Sequence, residues 1–334
     1  MNIIKPNAQL IEHNVHPYAF IEKVGRTCYK SEDKITPESA VGFVKGLAAH
    51  KHGAMLEHED IYLAYIDRRK NLAKDIWATM TAHADQHPRY AMRNYMKFDE
   101  VSGIVMASFR TWMDFVNTGI VVGDGHGIQH ALHAAYPELF PAITETCKED
   151  NVMSFSIIEK ELNESPLVRV VPRDEVANTI SGDEPSDFIV HTVLFTCDRG
   201  VSHEFVRHRP ASFGQESTRY CNYTKGQFGE EITVIEPFYW NTSSEEYKIW
   251  KNACKACEKA YFELIEKGAT PQEARSVLPN SLKTEIFITA TEREWQHIVN
   301  LRCHGVTGKP HPQMVEVMKI AYPLLVKASN GRIQ

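Results

Sequence analysis

A run of cationic side chains is the most chemically suggestive stretch of this sequence. Arg207, His208 and Arg209 are consecutive, and Arg219 follows ten residues after the last of them. Adjacent cations repel one another, so an anion is needed to offset the cost of bringing them together. Arginine carries a permanent charge and a planar fork of donors, which suits a phosphate group. The run therefore predicts an anion site, with a solvated charged turn as the alternative.

The polar residues after this run can hydrogen-bond to the same ligand. They are Ser212, Gln215, Glu216 and Ser217. Ser217 has the side chain of a nucleophile, but the sequence offers it no clear base with an orienting acid. We therefore expect Ser217 to donate a hydrogen bond rather than to attack a substrate.

Arg302 is a further cationic candidate, on a predicted helix. Trp295, Ile298, Val299 and Arg302 follow the i, i+3, i+4, i+7 spacing, which places Arg302 on the apolar face. A guanidinium there must find a partner or line a cavity, because leaving it unpaired in an apolar setting is costly. The two alternatives are a cation that faces a ligand and an intramolecular ion pair.

The histidine and cysteine clusters do not predict a metal site. The spacing of His52, Glu57 and His58 matches no zinc pattern, and a metal there would need further ligands. No carboxylate or cysteine partner is evident for His126, His130 and His133, and no second pair for the C-x-x-C of Cys254 and Cys257, so we interpret these as structural residues.

Composition limits the class of protein. The chain has 334 residues, is 43% hydrophobic and carries a net charge of −6, so it can form a core and has no general basic field for nucleic acid. The seven cysteines are odd in number and scattered, which favours a reducing, cytoplasmic location. Neither a signal peptide nor an apolar run long enough to span a bilayer is predicted.

The cationic run should lie between a strand and a loop. Residues 188–197 are rich in β-branched and aromatic types and predict a buried strand. Ser202 is the predicted N-cap of a short helix from His203 to Arg209, which Pro210 ends. The remainder of the run, from residue 211 on, is predicted to be a loop with backbone groups free for a ligand.

Other elements follow from caps and periodicity. We predict helices at 36–53, 244–267, 271–278 and 312–327, with a capping box at Thr270–Glu273, another at Thr291–Glu294, and strands at 232–235 and 282–290. Between residues 59 and 187 we predict helices at 67–83, 89–98 and 104–117, a glycine-rich turn at 123–127 and a short strand at 168–172.

The cationic run resembles the signature of flavin-dependent thymidylate synthases. That signature reads Arg-His-Arg, seven residues, then Ser, and here it spans Arg207–Ser217 and closes with Arg219 and Tyr220. The signature lies in a matching block at Asp198–Tyr220, and two further blocks are similar to the family's: His52–His58 and Ala274–Arg302, the second of which contains Ala274–Pro279 and Asn300–Arg302. The resemblance implies a family core at 1–58 and 188–334, interrupted by a family-atypical, mainly helical insertion at 59–187.

The resemblance implies a fold and an activity. The expected fold is α/β of the α+β type, with a central, mostly antiparallel sheet, surrounding helices and the helical insertion. The expected reaction converts dUMP to dTMP, with FAD as cofactor and with NADPH and methylenetetrahydrofolate as co-substrates. The family builds its sites between the subunits of a homotetramer, so a homotetramer is expected, with no nucleic-acid or membrane partner. The insertion could cap the active site or alter assembly.

The resemblance also assigns roles to individual positions. Arg302 corresponds to the family's activating arginine, which favours loss of the pyrimidine N3 proton, and is the expected catalytic residue. Flavin contacts are implied for His52, Ala54, Arg207, His208, Arg209, Gln215, Thr291, Arg293 and His297. Nucleotide contacts are implied for Glu204, Phe205, Val206, Arg207, Gln215, Glu216, Ser217, Thr218, Arg219, Arg275 and Arg302.

Four of these positions depart from the family pattern. Ala54 lacks the hydroxyl that is more usual there, and Thr291 and His297 replace asparagines of some relatives. Glu204 stands where glutamine is commoner, and a carboxylate near a nucleotide phosphate must be protonated or paired with an arginine. These departures keep three rival functions open: a flavin- and folate-dependent RNA methyltransferase, a nucleotide-binding protein without turnover, and a histidine-rich metal hydrolase.

Overall fold

The structure is a computed structural model of the 334-residue chain. It describes residues 1–66, 96–117, 125–142, 167–180, 182–224 and 229–334, together with Leu72, Lys74 and Ile76. The chain divides into two compact units. The first contains 1–16, 22–36 and 190–334, and the second contains 17–21 and 37–189.

Strands and helices alternate along the described chain. The strands are β1 (Asn2–Ile4), β2 (Asn7–Ile11), β3 (Asp60–Tyr65), β4 (Lys97–Asp99), β5 (Ile104–Ser108), β6 (Val168–Val171), β7 (Val190–Asp198), β8 (Ser212–Gln215), β9 (Thr233–Ile235) and β10 (Lys283–Thr291). The α-helices are α1 (Pro17–Tyr29), α2 (Ser39–Ala49), α3 (Phe109–Asn117), α4 (Gly125–Ala135), α5 (Arg173–Thr179), α6 (Arg199–Phe205), α7 (Glu245–Glu266), α8 (Pro271–Ala274), α9 (Glu292–Arg302) and α10 (Pro312–Ala328). Short 3-10 helices cover Glu32–Lys34, Gly53–His58 and Arg275–Val277.

The first unit is built on a four-stranded antiparallel sheet in the order β2-β7-β10-β8. Apolar residues of β7 and β10 form one buried cluster with residues of α6, α9 and α10, because the apolar face of each helix needs an apolar surface to cover it. Trp295 of α9 lies at the centre of this cluster and is fully buried. A smaller cluster joins α7 to β9, which pairs in parallel with β1.

The second unit contains its own four-stranded antiparallel sheet, in the order β4-β5-β3-β6. Its core is aromatic, with Phe109 and Trp112 of α3 and Phe140 fully buried. The indole Nε1 of Trp112 donates a hydrogen bond to the Ile61 carbonyl at 3.0 Å, which satisfies the one polar group of this side chain. The core of this unit also includes Val44 and Leu47 of α2.

Most predicted elements are confirmed, and the fold is mixed α/β with antiparallel sheets. The predicted strands at 188–197, 232–235, 282–290 and 168–172 correspond to β7, β9, β10 and β6. Helix α7 begins at its N-cap Ser244, whose hydroxyl accepts from the Tyr247 amide at 3.2 Å, and Gly268 follows its end at a positive φ of 92°. The predicted capping box of Thr270 and Glu273 is present.

Several predicted helix boundaries were wrong. Residues 104–108 are strand β5 rather than the start of a helix, and α3 begins only at Phe109. Lys97 and Phe98, at the end of the helix predicted over 89–98, belong to strand β4. Helix α2 begins at Ser39 and ends at Ala49, inside the predicted 36–53.

Parts of the predicted insertion lie outside the described residues. These parts include most of the helices at 67–83 and 89–98, and the first two residues of the glycine-rich turn at 123–127. Leu72, Lys74 and Ile76 are described and helical, and Gly125–Gly127 belong to α4. No helix among the described residues is long and apolar enough to cross a membrane.

Candidate active site

The cationic run lies directly after helix α6. Asp198 is the N-cap of this helix, and its side chain accepts a hydrogen bond from the Val201 amide at 2.7 Å. The predicted cap, Ser202, lies inside the helix, where its hydroxyl donates to the Arg199 carbonyl at 3.0 Å. The helix begins at Arg199, earlier than predicted, because the Asp198 carboxylate caps it, and it ends at Phe205, four residues before the predicted end. Arg207, His208 and Arg209 are therefore free of the helix.

Strand β8 replaces the loop that was predicted after Pro210. Residues 212–215 pair with Ile286–Thr289 of β10 in antiparallel register. Gln215 ends this strand, and its amide donates to Ser202 Oγ at 2.8 Å and to Thr284 Oγ1 at 3.2 Å. These two bonds fix the side chain, so its carbonyl oxygen is the group that remains for a ligand.

The three residues of the Arg-His-Arg motif alternate in exposure. Arg207 and Arg209 are exposed, whereas His208 is 6% exposed. His208 Nε2 accepts a hydrogen bond from Arg302 Nε at 3.2 Å. On the other side of the ring, His208 Nδ1 lies 3.6 Å from Glu294 Oε1. The motif thus presents two cations to solvent and turns its histidine inward.

Arg302 forms an ion pair with Glu204. Arg302 Nη1 lies 2.8 Å from Glu204 Oε2, and Nη2 donates to the Glu204 carbonyl at 3.3 Å. Of the two alternatives for this arginine, the structure therefore shows the intramolecular pair. The same contact provides the partner that a carboxylate at position 204 needs. The Arg302 side chain is 20% exposed, so part of the guanidinium remains accessible to a ligand.

Four exposed arginines of the first unit lack a carboxylate partner. Arg207, Arg209, Arg219 and Arg275 make no ion pair with any carboxylate that the structure describes. Arg275 Nη1 donates to Thr218 Oγ1 at 3.4 Å, which joins it to the end of the Arg207–Arg219 segment. Uncompensated guanidinium groups around one loop favour an anion.

The loop from Glu216 to Arg219 is held by backbone contacts. The Ser217 amide donates to the Cys28 carbonyl at 3.0 Å, and the Arg219 amide donates to Ser217 Oγ at 3.4 Å. The Ser217 hydroxyl contacts no histidine or carboxylate within the described part of the chain. This arrangement agrees with a hydrogen-bonding role for Ser217 rather than a nucleophilic one.

A buried network of two lysines and two glutamates supports this loop from below. Glu216 is 2% exposed, and its Oε2 lies 3.0 Å from Lys283 Nζ and 4.0 Å from Lys30 Nζ. Glu285 pairs with both lysines. Burial opposes the charge on Lys30, but Glu216 and Glu285 outweigh it and raise the pKa of Lys30 above its usual value. The contacts from Lys283 and from the Glu285 amide fix the Glu216 side chain.

The remaining flavin candidates of the first unit lie on or before α9. Thr291 is the N-cap of this helix, and its hydroxyl accepts from the Glu294 amide at 3.3 Å. Arg293 and His297 are exposed. The rings of His297 and His208 have centroids 5.8 Å apart in an edge arrangement. The structure thus brings His297 to the Arg-His-Arg motif.

Phe205 and Val206, two of the expected nucleotide contacts, differ in the exposure of their side chains. Phe205 is fully buried and packs on Phe195 with ring centroids 4.6 Å apart, so its side chain belongs to the core. Only its backbone can face a ligand. Val206 is the C-cap of α6 and is exposed.

His52 and Ala54 belong to the second compact unit. Both are exposed, and they lie at the start of the 3-10 helix Gly53–His58. Glu57 of the same segment pairs with Arg110. The other expected site residues belong to the first unit.

Sequence reasoning missed the supporting residues. Lys30, Lys283 and Glu285 were not singled out, although Lys283 and Glu285 are two apart on a strand and so point to the same face. Glu294 was noted only as part of a predicted capping box, although it precedes His297 by three residues on α9 and shares a helix face with it. The i, i+3 spacing was the signal that could have found it.

Residues 176–326 match the model of the thymidylate synthase complementing protein family. The C-terminal part of the chain is similar to this family. The matched segment contains the Arg-His-Arg motif, Arg275 and Arg302, but not His52 or Ala54. The resemblance expected from the sequence is confirmed over these residues.

Curated relatives of this family cover only part of the chain. A flavin-dependent thymidylate synthase of Geobacter sulfurreducens is 35% identical over 105 residues, which are 31% of this chain and 44% of that protein. One of Synechocystis sp. is 30% identical over 131 residues, which are 37% of this chain and 61% of that protein. The chain thus spans about half the length of the curated relatives that it matches. Among solved structures, a UMP/dUMP methylase from Streptomyces cacaoi bound with 5-Br dUMP aligns with a TM-score of 0.39 and 13% identity, over 98% of this chain and 93% of that one.

Proposed function

We propose that this protein is a flavin-dependent thymidylate synthase that converts dUMP to dTMP. Methylenetetrahydrofolate is the proposed carbon donor, and NADPH the proposed reductant, acting through FAD. The observation that carries the proposal is the group of exposed arginines without carboxylate partners at the family signature. Net charge of −6 over the chain argues against an RNA substrate, which would need a broad basic surface.

The dUMP phosphate is the proposed ligand of Arg219 and Arg275. Both guanidinium groups are exposed, and Arg275 already contacts Thr218 in the signature loop. A phosphate accepts paired N–H donors from arginine, and these charge-assisted bonds are stronger than neutral ones. The hydroxyls of Ser217 and Thr218 and the Thr218 amide are the proposed neutral donors, because the amides of Glu216 and Ser217 already donate to carbonyl groups.

Arg302 is the proposed catalytic cation. A guanidinium next to the pyrimidine favours the anionic form of the ring, because a nearby positive charge lowers the pKa of an acidic N–H. Glu204 holds Arg302 in place and competes with the substrate for it. The side chain of Glu204 is thus a positioning group for Arg302.

The residues present fit FAD. Its diphosphate needs cationic donors, and Arg207 and Arg209 are exposed and unpaired with any described carboxylate. Gln215, Thr291, Arg293 and His297 are the further proposed contacts from the first unit. When bound, FAD would carry the reducing equivalents between NADPH and the nucleotide.

A cysteine nucleophile is not part of the proposal. Cys221 is the cysteine nearest to the signature in sequence, and it is buried. Burial, with Glu216 nearby, raises the pKa of Cys221 to about 12. The thiolate needed for attack is therefore scarce at neutral pH.

A spectroscopic titration tests the proposal. The purified protein, supplied with FAD, is expected to show a flavin spectrum that NADPH bleaches under anaerobic conditions, at a rate that dUMP changes. A rate that dUMP does not affect would argue against a shared site. Failure to take up FAD would overturn the proposed function.

A nucleotide-binding protein without turnover is the second candidate. The ion pair between Arg302 and Glu204 favours it, because the proposed catalytic cation is engaged. This candidate predicts dUMP binding without dTMP formation. An assay of dTMP formation with the same protein preparation therefore distinguishes the two functions.

A further inference from the structure

His208, Glu294 and His297 form a cluster of metal-ligating side chains. One ligand atom of each residue lies within 4.8 Å of the other two. Glu294 and His297 are one helical turn apart on α9, and His208 comes from the segment after α6. Two imidazoles and one carboxylate are a ligand set that proteins use for Zn²⁺ and similar ions.

The carboxylate of Glu294 needs a positive partner. Its Oε1 is buried and has no hydrogen-bond partner among the described residues; His208 Nδ1, at 3.6 Å, is a positive partner only when that ring is protonated. Arg302 is the nearby guanidinium that contacts His208, but it pairs with Glu204 rather than with Glu294. A buried carboxylate oxygen without a donor is costly, and a bound cation removes this cost.

The geometry fits an ion better than it fits a hydrogen bond. Glu294 Oε1 and His208 Nδ1 are 3.6 Å apart, which is too long for a hydrogen bond. Two ligands on one tetrahedral zinc ion, each at about 2.0 Å, are separated by roughly 3.3 Å. A shift of a few tenths of an ångström would therefore seat both atoms on a single ion.

We propose that His208, Glu294 and His297 bind a divalent transition-metal ion of the Zn²⁺ class. Three protein ligands leave one coordination position open, as in metal sites that bind water or a substrate. His297 is exposed and gives the ion a route from solvent, whereas His208 is buried and anchors the inner side.

Metal binding has a consequence for Arg302. A ligating imidazole is neutral, so an ion on Nδ1 of His208 places the ring proton on Nε2. That nitrogen can then no longer accept a hydrogen bond from Arg302 Nε. The ion would detach Arg302 from His208 and leave its pair with Glu204 intact.

This proposal can be tested separately from the flavin reaction. The site would share His208 and His297 with the proposed FAD contacts, so the two ligands would compete for these residues. The test therefore contains neither flavin nor nucleotide, and its failure leaves the proposed function untouched.

Cobalt titration tests the site directly. Flavin-free protein is treated with a chelator, exchanged into clean buffer and titrated with Co²⁺, whose visible absorption is strong in tetrahedral sites. One equivalent of Co²⁺ is expected to bind with this spectrum, and Zn²⁺ is expected to displace it. Wild-type protein that binds no Co²⁺ would overturn the proposal.

Two variants test the ligands, and a third serves as a control. H297N removes an exposed ligand and E294Q keeps the shape of the carboxylate, so neither should prevent folding, which circular dichroism checks. Each is expected to weaken Co²⁺ binding at least about tenfold. The control H304N changes an exposed histidine outside the cluster and should bind as the wild type does. Unchanged binding by both H297N and E294Q would overturn the proposal.

Discussion

The pair of Glu204 and Arg302 places a carboxylate beside the expected nucleotide position. A carboxylate repels a phosphate dianion, and it also holds the guanidinium that the pyrimidine would use. Because Arg302 reaches Glu204 at 2.8 Å, a nucleotide bound as proposed would have to share or replace this contact. The residue at position 204 therefore sets how available Arg302 is.

Replacing Glu204 by glutamine should strengthen dUMP binding. Glu204→Gln keeps a hydrogen bond to Arg302 but removes the negative charge, and we expect the Kd to fall about fivefold, which corresponds to roughly 1 kcal/mol. Isothermal titration calorimetry measures it. Glu245→Gln, an exposed glutamate on α7, is the matched control and should leave the Kd unchanged. Weaker binding by the Glu204 variant would contradict this role.

Arg275 should recognise the phosphate of dUMP. Arg275→Ala removes an exposed side chain, so the fold should survive, and the loss of a charge-assisted contact should weaken dUMP binding by about tenfold or more. Binding of deoxyuridine, which lacks the phosphate, should not change. The control Arg169→Ala changes an exposed arginine in the second unit. An equal loss of affinity for dUMP and for deoxyuridine would show that Arg275 does not bind the phosphate.

At the scale of elements, the sheet of the first unit supports the signature loop. The amide of Glu216 donates to the Glu285 carbonyl at 2.8 Å, and the amide of Glu285 donates to Glu216 Oε2 at 3.2 Å. Lys30, just past the end of α1, reaches the same carboxylates. A loop tied to β10 and α1 in this way presents its donors in a fixed arrangement, which lowers the entropy cost of binding.

Breaking this charge network should destabilise the first unit. Lys283→Met leaves Glu216 and Glu285 without one of their two cations, and removing one partner of a buried pair costs about 3 kcal/mol. Urea denaturation measures the change in the free energy of unfolding. Lys248→Met is the control, because Lys248 pairs with Glu245 on the surface, where such pairs contribute little. Equal effects of the two variants would contradict the account of the network.

Sequence patterns predicted the helix starts that depend on residues within one turn. They failed where the same residues could form either a helix or a strand. The N-cap of α7 and the capping box of α8 were predicted because each depends on residues within one turn. Residues 104–108 were predicted as helix, but this short apolar run forms β5 because β3 and β4 pair with it. The candidate site shows the same difference between local and distant residues. The Arg-His-Arg motif was visible in sequence, whereas the partners of Arg302 and Glu216 come from distant positions.

At the scale of the whole molecule, the chain forms two compact units whose limits differ from the proposed domains. The second unit includes residues 37–58, and its core contains Val44 and Leu47. The core and insertion proposed at 1–58, 59–187 and 188–334 therefore stay a prediction, as does the homotetramer. Light scattering of the full chain, before and after removal of residues 59–187, tests whether the insertion alters the subunit number.

The stability of the second unit should depend on the protonation of Asp60. Burial raises the pKa of Asp60 to about 7, with Arg173 opposing this shift and Glu59 adding to it. The unfolded chain has a pKa near 3.9, so between about pH 4 and pH 7 the folded state binds a proton that the unfolded state lacks. The contribution of Asp60 to stability therefore falls as the pH rises through this window.

Asp60→Asn removes this pH dependence. Above pH 7 the variant should have a higher Tm than the wild type, and near pH 4 the difference should vanish, as followed by differential scanning calorimetry. Asp174→Asn, at an exposed aspartate in the first turn of α5, is the control. A Tm difference that is the same at pH 4 and pH 8 would contradict the assignment.

Formation of dTMP tests the central claim most directly. The protein is incubated with dUMP, FAD, NADPH and methylenetetrahydrofolate, and the nucleotides are separated by chromatography. We predict that dTMP appears, that omission of NADPH or of the folate abolishes it, and that Arg302→Ala reduces its rate at least about a hundredfold. Binding of dUMP and FAD without any dTMP would contradict the claim and leave a nucleotide-binding protein without turnover.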